Sequence, residues 1–544
     1  MLEAKWRSAV VEWQAALGSD AVIVDPAQLG AVETTTFSTE QKIPAILRPS
    51  SREEVQRCLS IANRFDVPVY PRSSGKNWGY GSGVPPQDLC AILDLSRMNR
   101  ILAFDEKLAY VTVEPGVTQQ QLFDFLALKK SALWMDATGS SPHTSIIGNT
   151  MERGFGHTPQ GDHFAHSCGL EVVLPTGDVV ETGYSRFSNS VTGPLYRWGV
   201  GPFLDGLFSQ SNFGIVTRMT IWLMPAPARF EAFLFRCDHE AQLGPVIETL
   251  TRLRLSGTIQ STVHLGNDYK VLSSMQQFPW DATQGQTPLL PAQMVQLRAR
   301  LQFGVWNGSG GIYGTKAQVA CSRREIRRAL AGKVSRIRFL DDRMLALSIR
   351  FAKPIKLLSG WDLSETVALL QPLYGLLKGI PTDRPLRSAY WRKTTPIPDQ
   401  PDPDRDRCGL LWLAPIIPST SDDAQKIRHV TVETLLAANF EPMISFTMIT
   451  GRAIACIIAI SFDRDIPGED QRAMACYRSL AKKVNALGYY SYRLGIQSME
   501  EMNASASYVD LLRRLKSAID PAGILAPGRY EAARLPLARA ASAS

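Results

Sequence analysis

The stretch "PRSSGKNWGYGSGVPP", Pro71 to Pro86, sets Arg72 and Lys76 among Ser73, Ser74, Gly75, Asn77 and Gly79. Successive small residues after a strand can aim their amides at one point as an anion nest, and two cations add charge, so the chemistry is phosphate binding. A P-loop requires G-x-x-x-x-G-K-[ST], whereas this lysine follows the first glycine and precedes an asparagine. A dinucleotide fingerprint opens a helix, and Pro85 and Pro86 block one here. Two readings of the stretch alone remain: a nest for some other phosphate, or a flexible surface loop.

A second glycine-rich block, "IIGNTMERGFGHTPQGDHFAHSCGLEVVLPTGD", Ile146 to Asp178, places His157, Asp162, His163 and His166 within ten positions. Its turns and hairpin spacing do not put these groups on one face, so no metal is expected. "GLFSQSNFG" offers Ser209 and Ser211 without the G-x-S-x-G elbow of a serine hydrolase. "GYYSYRLG", with Tyr492 and Arg493, reads by itself as a half-buried strand pair.

The elements that must position these residues follow from local pattern. Ser51 and Glu54 form a capping box before Val55, Cys58, Leu59, Ala62 and Phe65 at helical spacing. "VPVYP" is then a short buried strand, which puts the glycine-rich loop directly after it. "LAYVTVEPGVTQQQLFDFLAL" repeats strand, turn and helix; "CGLEVVLPTGDVVETG" is a hairpin; "GIVTRMTIWLMP" is a strand stopped by Pro225. Farther on, "MISFTMIT" and "ACIIAISF" with the helix "EDQRAMACYRSLAKKVNALG" predict an antiparallel sheet covered by helices. "PIPDQPDPDRDR", Pro396 to Arg407, is a loop, either a connector or a lid. The fold class expected is α+β.

A chain of 544 residues, 45% hydrophobic, should form more than one domain and can bury a large cofactor between them. The net charge of +8 is spread along the chain. Its densest run, "SRREIRRALAGK", is a solvated helical face with no aromatic stacking pattern, so nucleic acid is not an expected partner. Eight dispersed cysteines without a C-x-x-C pair favour reduced thiols in the cytoplasm. No apolar run approaches the roughly 20 residues of a membrane span, and the amino terminus is a charged amphipathic helix, not a signal peptide.

Four motifs in order, the block Ile146 to Asp178, "VEPGVT" at Val113, "GVGPFLDGLFSQSNFGIVT" at Gly199 and "ILAPGR" at Ile524, closely resemble the flavoprotein family of vanillyl-alcohol oxidase and p-cresol methylhydroxylase. The resemblance covers nearly the whole chain. It implies a PCMH-type FAD-binding domain of residues 1–225, closed by residues 495–544, and a substrate cap of residues 226–494. It also implies that Arg72, Ser73, Ser74, Gly75, Lys76, Asn77 and Gly79 hold the FAD pyrophosphate. Gly148, Asn149, Glu152, Gly156, His157, Gly161, Asp162, Ile215 and Arg529 would complete the cofactor site.

The family oxidises phenols, and the resemblance assigns Tyr492, Arg493 and Tyr80 to the phenolate, with Trp412, Ile449 and Arg452 lining the pocket. Where the oxidase has its aspartate base this chain has Gly139 or Ser140, so His143 is the expected substitute and Asp136 a second candidate. Where the oxidase has its flavin-linked histidine this chain has Leu410, and no histidine precedes His143. FAD is therefore expected to be held non-covalently, with Cys408 nearby as another possible attachment point. The expected activity is hydride removal from the benzylic carbon of a para-substituted phenol, with oxygen, a cytochrome or a quinone as final acceptor. A non-phenolic alcohol or amine is the alternative substrate, an inactive FAD-binding protein a further one, and a homodimer is a family habit.

Overall fold

The computed structural model describes residues 2–359, 363–502 and 504–531; the Ala/Ser-rich end of the chain lies outside them. The fold is α+β. The first helix, Leu2–Leu17, sends Trp13 inward, where its indole N–H donates to the Cys58 carbonyl at 3.1 Å. Ser51 caps the helix Arg52–Phe65 by accepting from the Glu54 amide, while the Glu54 carboxylate accepts from Ser50. The box is thus half made. Asp66 in the left-handed region (φ 50°) ends the helix and turns the chain into the strand Val69–Arg72.

That strand is the edge of a four-stranded sheet, with Ala91–Asp94, Ile46–Leu47 and Val22–Ile23 following in order. Its outer side is closed from the far end of the chain. The Val69 amide donates to the Ile524 carbonyl at 2.9 Å and the Ala526 amide to the Val69 carbonyl at 2.8 Å. Lys516 anchors this return. Its ammonium, buried, reaches Asp520 (2.6 Å) and the carbonyls of Asn212 and Leu525. The Asp520 carboxylate in turn accepts from the amides of Ile524 and Leu525.

A five-stranded sheet follows, in the order Ile101–Asp105, Tyr110–Val113, Ile215–Trp222, Ser167–Val173, Val179–Glu181. The strands between Arg229 and Asp463 form one eight-stranded antiparallel sheet. Side chains alternate across it with a period of two. Val263, Leu265, Ile444, Phe446, Ile458, Ile460, Leu411 and Leu413 pack under helices such as Leu243–Leu255 and Glu469–Ala486. The opposite face carries His264, Gly266, Asn307, Ser309, Ser445, Thr447, Ile457, Ala459, Leu410 and Trp412, which line a cavity.

The proline-rich loop before Cys408 is neither loose nor a bare connector. Asp402 accepts from Lys76 at 2.6 Å and Asp404 from Ser82 at 2.7 Å, so it is clamped onto the glycine-rich loop. Burial pushes the Asp404 carboxyl up to about 7. Among the described residues no helix is long and apolar enough to cross a membrane. All eight cysteines are free thiols and seven are buried.

Replacing Asp520 with alanine would strand the buried Lys516 charge and free two amides. The expected cost is about 3–5 kcal/mol of stability, the usual penalty for removing one partner of a buried ion pair. Urea unfolding of the wild type and Asp520→Ala measures it, and a cost under about 1 kcal/mol would show that the carboxy-terminal return is not held this way.

Candidate active site

The cavity of about 520 Å³ lies between the glycine-rich loops and the open face of the eight-stranded sheet. Arg72, Ser73, Ser74, Gly75, Lys76 and Asn77 all line it. The two cations are already neutralised by protein: Arg72 pairs with Asp94 at 3.0 Å and Lys76 with Asp402 at 2.6 Å. What the loop offers an anion is therefore chiefly amides and hydroxyls, and the expectation that both charges serve phosphate is corrected to that extent. Ser145 caps the short helix Ile146–Met151 and its amide donates to Ser74 Oγ, which ties the second glycine block to the first. A Cβ on Gly148 would lie 2.3 Å from Ser73 Oγ, so only glycine lets the two segments approach this closely.

The chemistry of the wall fits FAD. Thr144 Oγ1, Ser211 Oγ and Trp412 Nε1 are buried along it without a hydrogen-bond partner in the protein. Buried polar groups are normally satisfied, and a long cofactor with polar and aromatic parts supplies what these three lack. Gly148, Asn149, Glu152, His157 and Ile215 also line the cavity.

Arg493 and Tyr492 enter on the turn after the helix Glu469–Ala486, fixed by the Tyr492 amide donating to the Ala414 carbonyl. The Arg493 guanidinium lies 4.8 Å over the Tyr80 ring, donates to Asn77 Oδ1 at 2.6 Å and pairs with Glu152 at 3.4 Å. Tyr80 stands edge-on to Trp412, with centroids 5.9 Å apart. Burial pushes both tyrosine hydroxyls up, Tyr80 strongly, so both stay protonated and can donate. Burial alone would raise the Glu152 carboxyl, but Arg529 and Arg493 hold it below its ordinary range. Arg529 bonds Glu152 at 2.6 Å and Tyr530 donates to it at 2.7 Å.

Several expected site residues are elsewhere. His143 is exposed on a turn and off the cavity wall. Ile449 and Arg452 fall in the tight turn between the strands Met443–Met448 and Ala453–Asp463; the cavity is lined instead by Ser445, Thr447, Ile457 and Ala459 of those strands. Asp162 is exposed and caps a turn through the Ala165 amide. Gly79, Gly156, Gly161 and Arg529 are also off the wall and act as spacers or supports: a Cβ on Gly156 would meet Asp136 at 2.4 Å, one on Gly79 would meet Trp412 at 3.0 Å, and one on Gly161 would meet Thr262 at 2.3 Å. Asp136 itself is turned away, accepting from the amides of Ala137, His157 and Thr158 beside His163.

The residues that sequence missed come from the sheet face and the segments over it: His264, Asn307, Ser309, Lys270 and Arg384. His264 stacks on His157 with centroids 4.3 Å apart. His157 Nδ1 donates to the Ala137 carbonyl, which leaves Nε2 as an acceptor. Burial holds both rings below the ordinary histidine value, so both are neutral at pH 7. The period-two alternation of "VHLGN" marks His264 as the polar side of its strand, but not what that side faces.

A cofactor-sized cavity between a glycine-rich α+β layer and an antiparallel sheet, floored by a buried Tyr-Arg-Tyr cluster, defines a flavin-dependent oxidoreductase. Residues 43–183 match the model of an FAD binding domain, and residues 455–530 that of the FAD linked oxidases, C-terminal domain. The chain is 45% identical over 525 residues to 1'-carboxy-chondrochloren decarboxylase of Chondromyces crocatus, covering 96% of this chain and 97% of that protein. It is 30% identical to the 4-cresol dehydrogenase [hydroxylating] flavoprotein subunit of Pseudomonas putida, over 97% and 96% of the two chains. The structure superposes on substrate-bound p-cresol methylhydroxylase (TM-score 0.87, 28% identity, 97% of each chain) and on the isoeugenol complex of 4-ethylphenol oxidase from Gulosibacter chungangensis (0.86, 28%, 97% of each). The chain belongs to the vanillyl-alcohol oxidase and p-cresol methylhydroxylase family, and it is an FAD-linked enzyme.

Two outcomes follow from this geometry. Gly148→Val should empty the protein of flavin, read as the 450 to 280 nm absorbance ratio of purified protein; normal flavin content would show that the close approach to Ser73 is dispensable. For pH, the sign is set by depressed histidines: the unfolded chain takes up protons below about pH 6.5 that folded His157 and His264 refuse, so their contribution is full above that pH and lost below it. A His157→Gln, His264→Gln double variant should therefore gain stability relative to wild type as pH falls from 7 to 5.5. An unchanged difference would mean that the two rings titrate normally.

Proposed function

We propose that this enzyme removes a hydride from the benzylic carbon of a para-substituted phenol, with FAD bound non-covalently. The observation that carries the reading is Arg493 lying over Tyr80 beside Tyr492 on the cavity wall. A phenol ionises near pH 10, so holding it as phenolate at neutral pH takes about 4 kcal/mol. One desolvated cation about 4 Å away supplies that at an effective dielectric near 20. Glu152 shares the Arg493 charge and fixes its orientation, and the two protonated tyrosines donate to the phenolate oxygen. The bound flavin supplies the hydride acceptor. Residues 1–225 with 495–544 form its domain in this reading, and 226–494 the cap; oxygen, a cytochrome or a quinone takes the electrons onward.

Non-covalent attachment is supported by Leu410, an alkyl side chain on the wall, and by Cys408, which is buried off the wall with its thiol pushed far up. Boiling or acid precipitation should release yellow flavin into the supernatant.

The quinone methide left by hydride removal can add water or lose carbon dioxide. Among the described residues the wall carries one acid, Glu152, and it is bound by Arg529, Arg493 and Tyr530. No carboxylate stands free to activate water, since Gly139 and Ser140 occupy that part of the wall. Loss of carbon dioxide needs no base: the bond to the carboxylate breaks, its electron pair forms the side-chain double bond, and the phenolate is restored. The 45% identity to a decarboxylase supports this branch.

The test is an anaerobic spectrum of the holoenzyme before and after 4-ethylphenol. Bleaching of the 450 nm band within minutes is expected, slowed about 10²–10³-fold in Arg493→Ala, the range for loss of one preorganised electrostatic group. A band that stays yellow with this phenol and with 3-(4-hydroxyphenyl)propanoate sinks the phenol reading.

A further inference from the structure

Several buried cations among the described residues are paired with carboxylates. Arg392 has Glu441 at 2.8 Å, Lys393 has Asp463 at 2.8 Å, Lys516 has Asp520, and Arg493 and Arg529 share Glu152. Lys270 is not so paired. It sits on the helix Asp268–Met275 and lines the cavity, and its ammonium makes one hydrogen bond, to Ser388 Oγ at 3.0 Å. Ser388 has its own donor committed to the Pro385 carbonyl, so it accepts from Lys270 and fixes the ammonium without neutralising it. Four residues earlier, on the same 3₁₀ helix Arg384–Tyr390, Arg384 also lines the cavity and has no ion pair among the described residues. Its Nε is buried without a partner.

A wall cation without a counter-charge is costly unless a ligand brings one. The lining also includes the apolar side chains of Val271, Leu386, Ala389, Pro385 and Leu373, which accommodate a hydrocarbon chain. Burial pushes the Lys270 ammonium down to about 8, which leaves it mostly charged at neutral pH. The phosphates of FAD have their own cradle in Ser73 to Gly75, on a different segment.

We propose that Lys270, held by Ser388, is the subsite for a carboxylate on the para side chain of the substrate. This rests on the phenol reading for the other end of the molecule. It assigns the substrate class as phenols with an acidic side chain, and makes Lys270 a specificity-determining residue that holds the carboxylate and not the benzylic carbon that gives up hydride.

The test compares 3-(4-hydroxyphenyl)propanoate with its primary amide, which has nearly the same shape and no charge. Calorimetric titration into wild-type holoenzyme should give at least tenfold tighter binding for the acid. In Lys270→Met the acid-to-amide preference should fall at least tenfold, and Lys270→Arg should keep most of it. Equal binding of acid and amide to the wild type overturns the subsite whatever the variants do, as does a preference that survives in Lys270→Met. The two readings fail separately. Preferred binding of the acid with no flavin bleaching by any phenol would leave the subsite and remove the oxidation; bleaching by 4-ethylphenol with no preference for the acid would do the reverse.

Discussion

Glu152 is the constraint on which the rest of the site depends. One carboxylate at the end of a two-turn helix is shared by Arg493, Arg529 and the Tyr530 hydroxyl, which come from two segments far down the chain. Two guanidinium groups cannot be buried this close without a negative charge between them. The glycine block, the Tyr492–Arg493 turn and the carboxy-terminal segment are therefore fixed relative to each other by a single charge. Arg493 can sit over Tyr80 only because Glu152 and Asn77 hold it there, so the preorganisation of that cluster is a property of the whole junction.

The eight-stranded sheet solves a different problem. One face needs large apolar side chains to bury four helices; the other must leave room for a cofactor and a substrate. Period-two alternation meets both demands at once, with Phe446 and Ile458 on one side and Ser445, Thr447 and Ala459 on the other. The small residues leave the volume, and the few large ones, Trp412 above all, shape it.

How far the site was legible in sequence follows from how local each signal is. Arg72 to Asn77, Gly148, Asn149 and Glu152 sit in glycine-rich turns whose composition is dictated by close backbone approach, and they line the cavity. Tyr80, Tyr492 and Arg493 required the family pattern, since a Tyr-Arg pair on a turn has many ordinary explanations. His143 was misplaced because nearness in sequence to the position of a base says nothing about side-chain direction. Ile449 and Arg452 were displaced by where a hairpin turns, a matter of a few residues. Lys270, Arg384 and His264 carry no local signature at all: they meet only because the sheet and the segments over it are brought together by tertiary packing. The neutralisation of Arg72 by Asp94 and of Lys76 by Asp402 was equally invisible, being a pairing across 22 and 326 positions.

The strand that leads into the glycine-rich loop is completed by Leu525 and its neighbours, and the ion that locks Arg493 is completed by Arg529. Both partners lie far along the chain from what they complete, Arg529 coming 377 positions after Glu152. The cradle consequently depends on contacts of very long sequence separation, the kind whose loop-closure entropy must be met before they stabilise anything. Breaking the contact at Leu525 would expose the edge of Val69–Arg72, so a change there reaches a glycine-rich loop more than four hundred residues away in sequence.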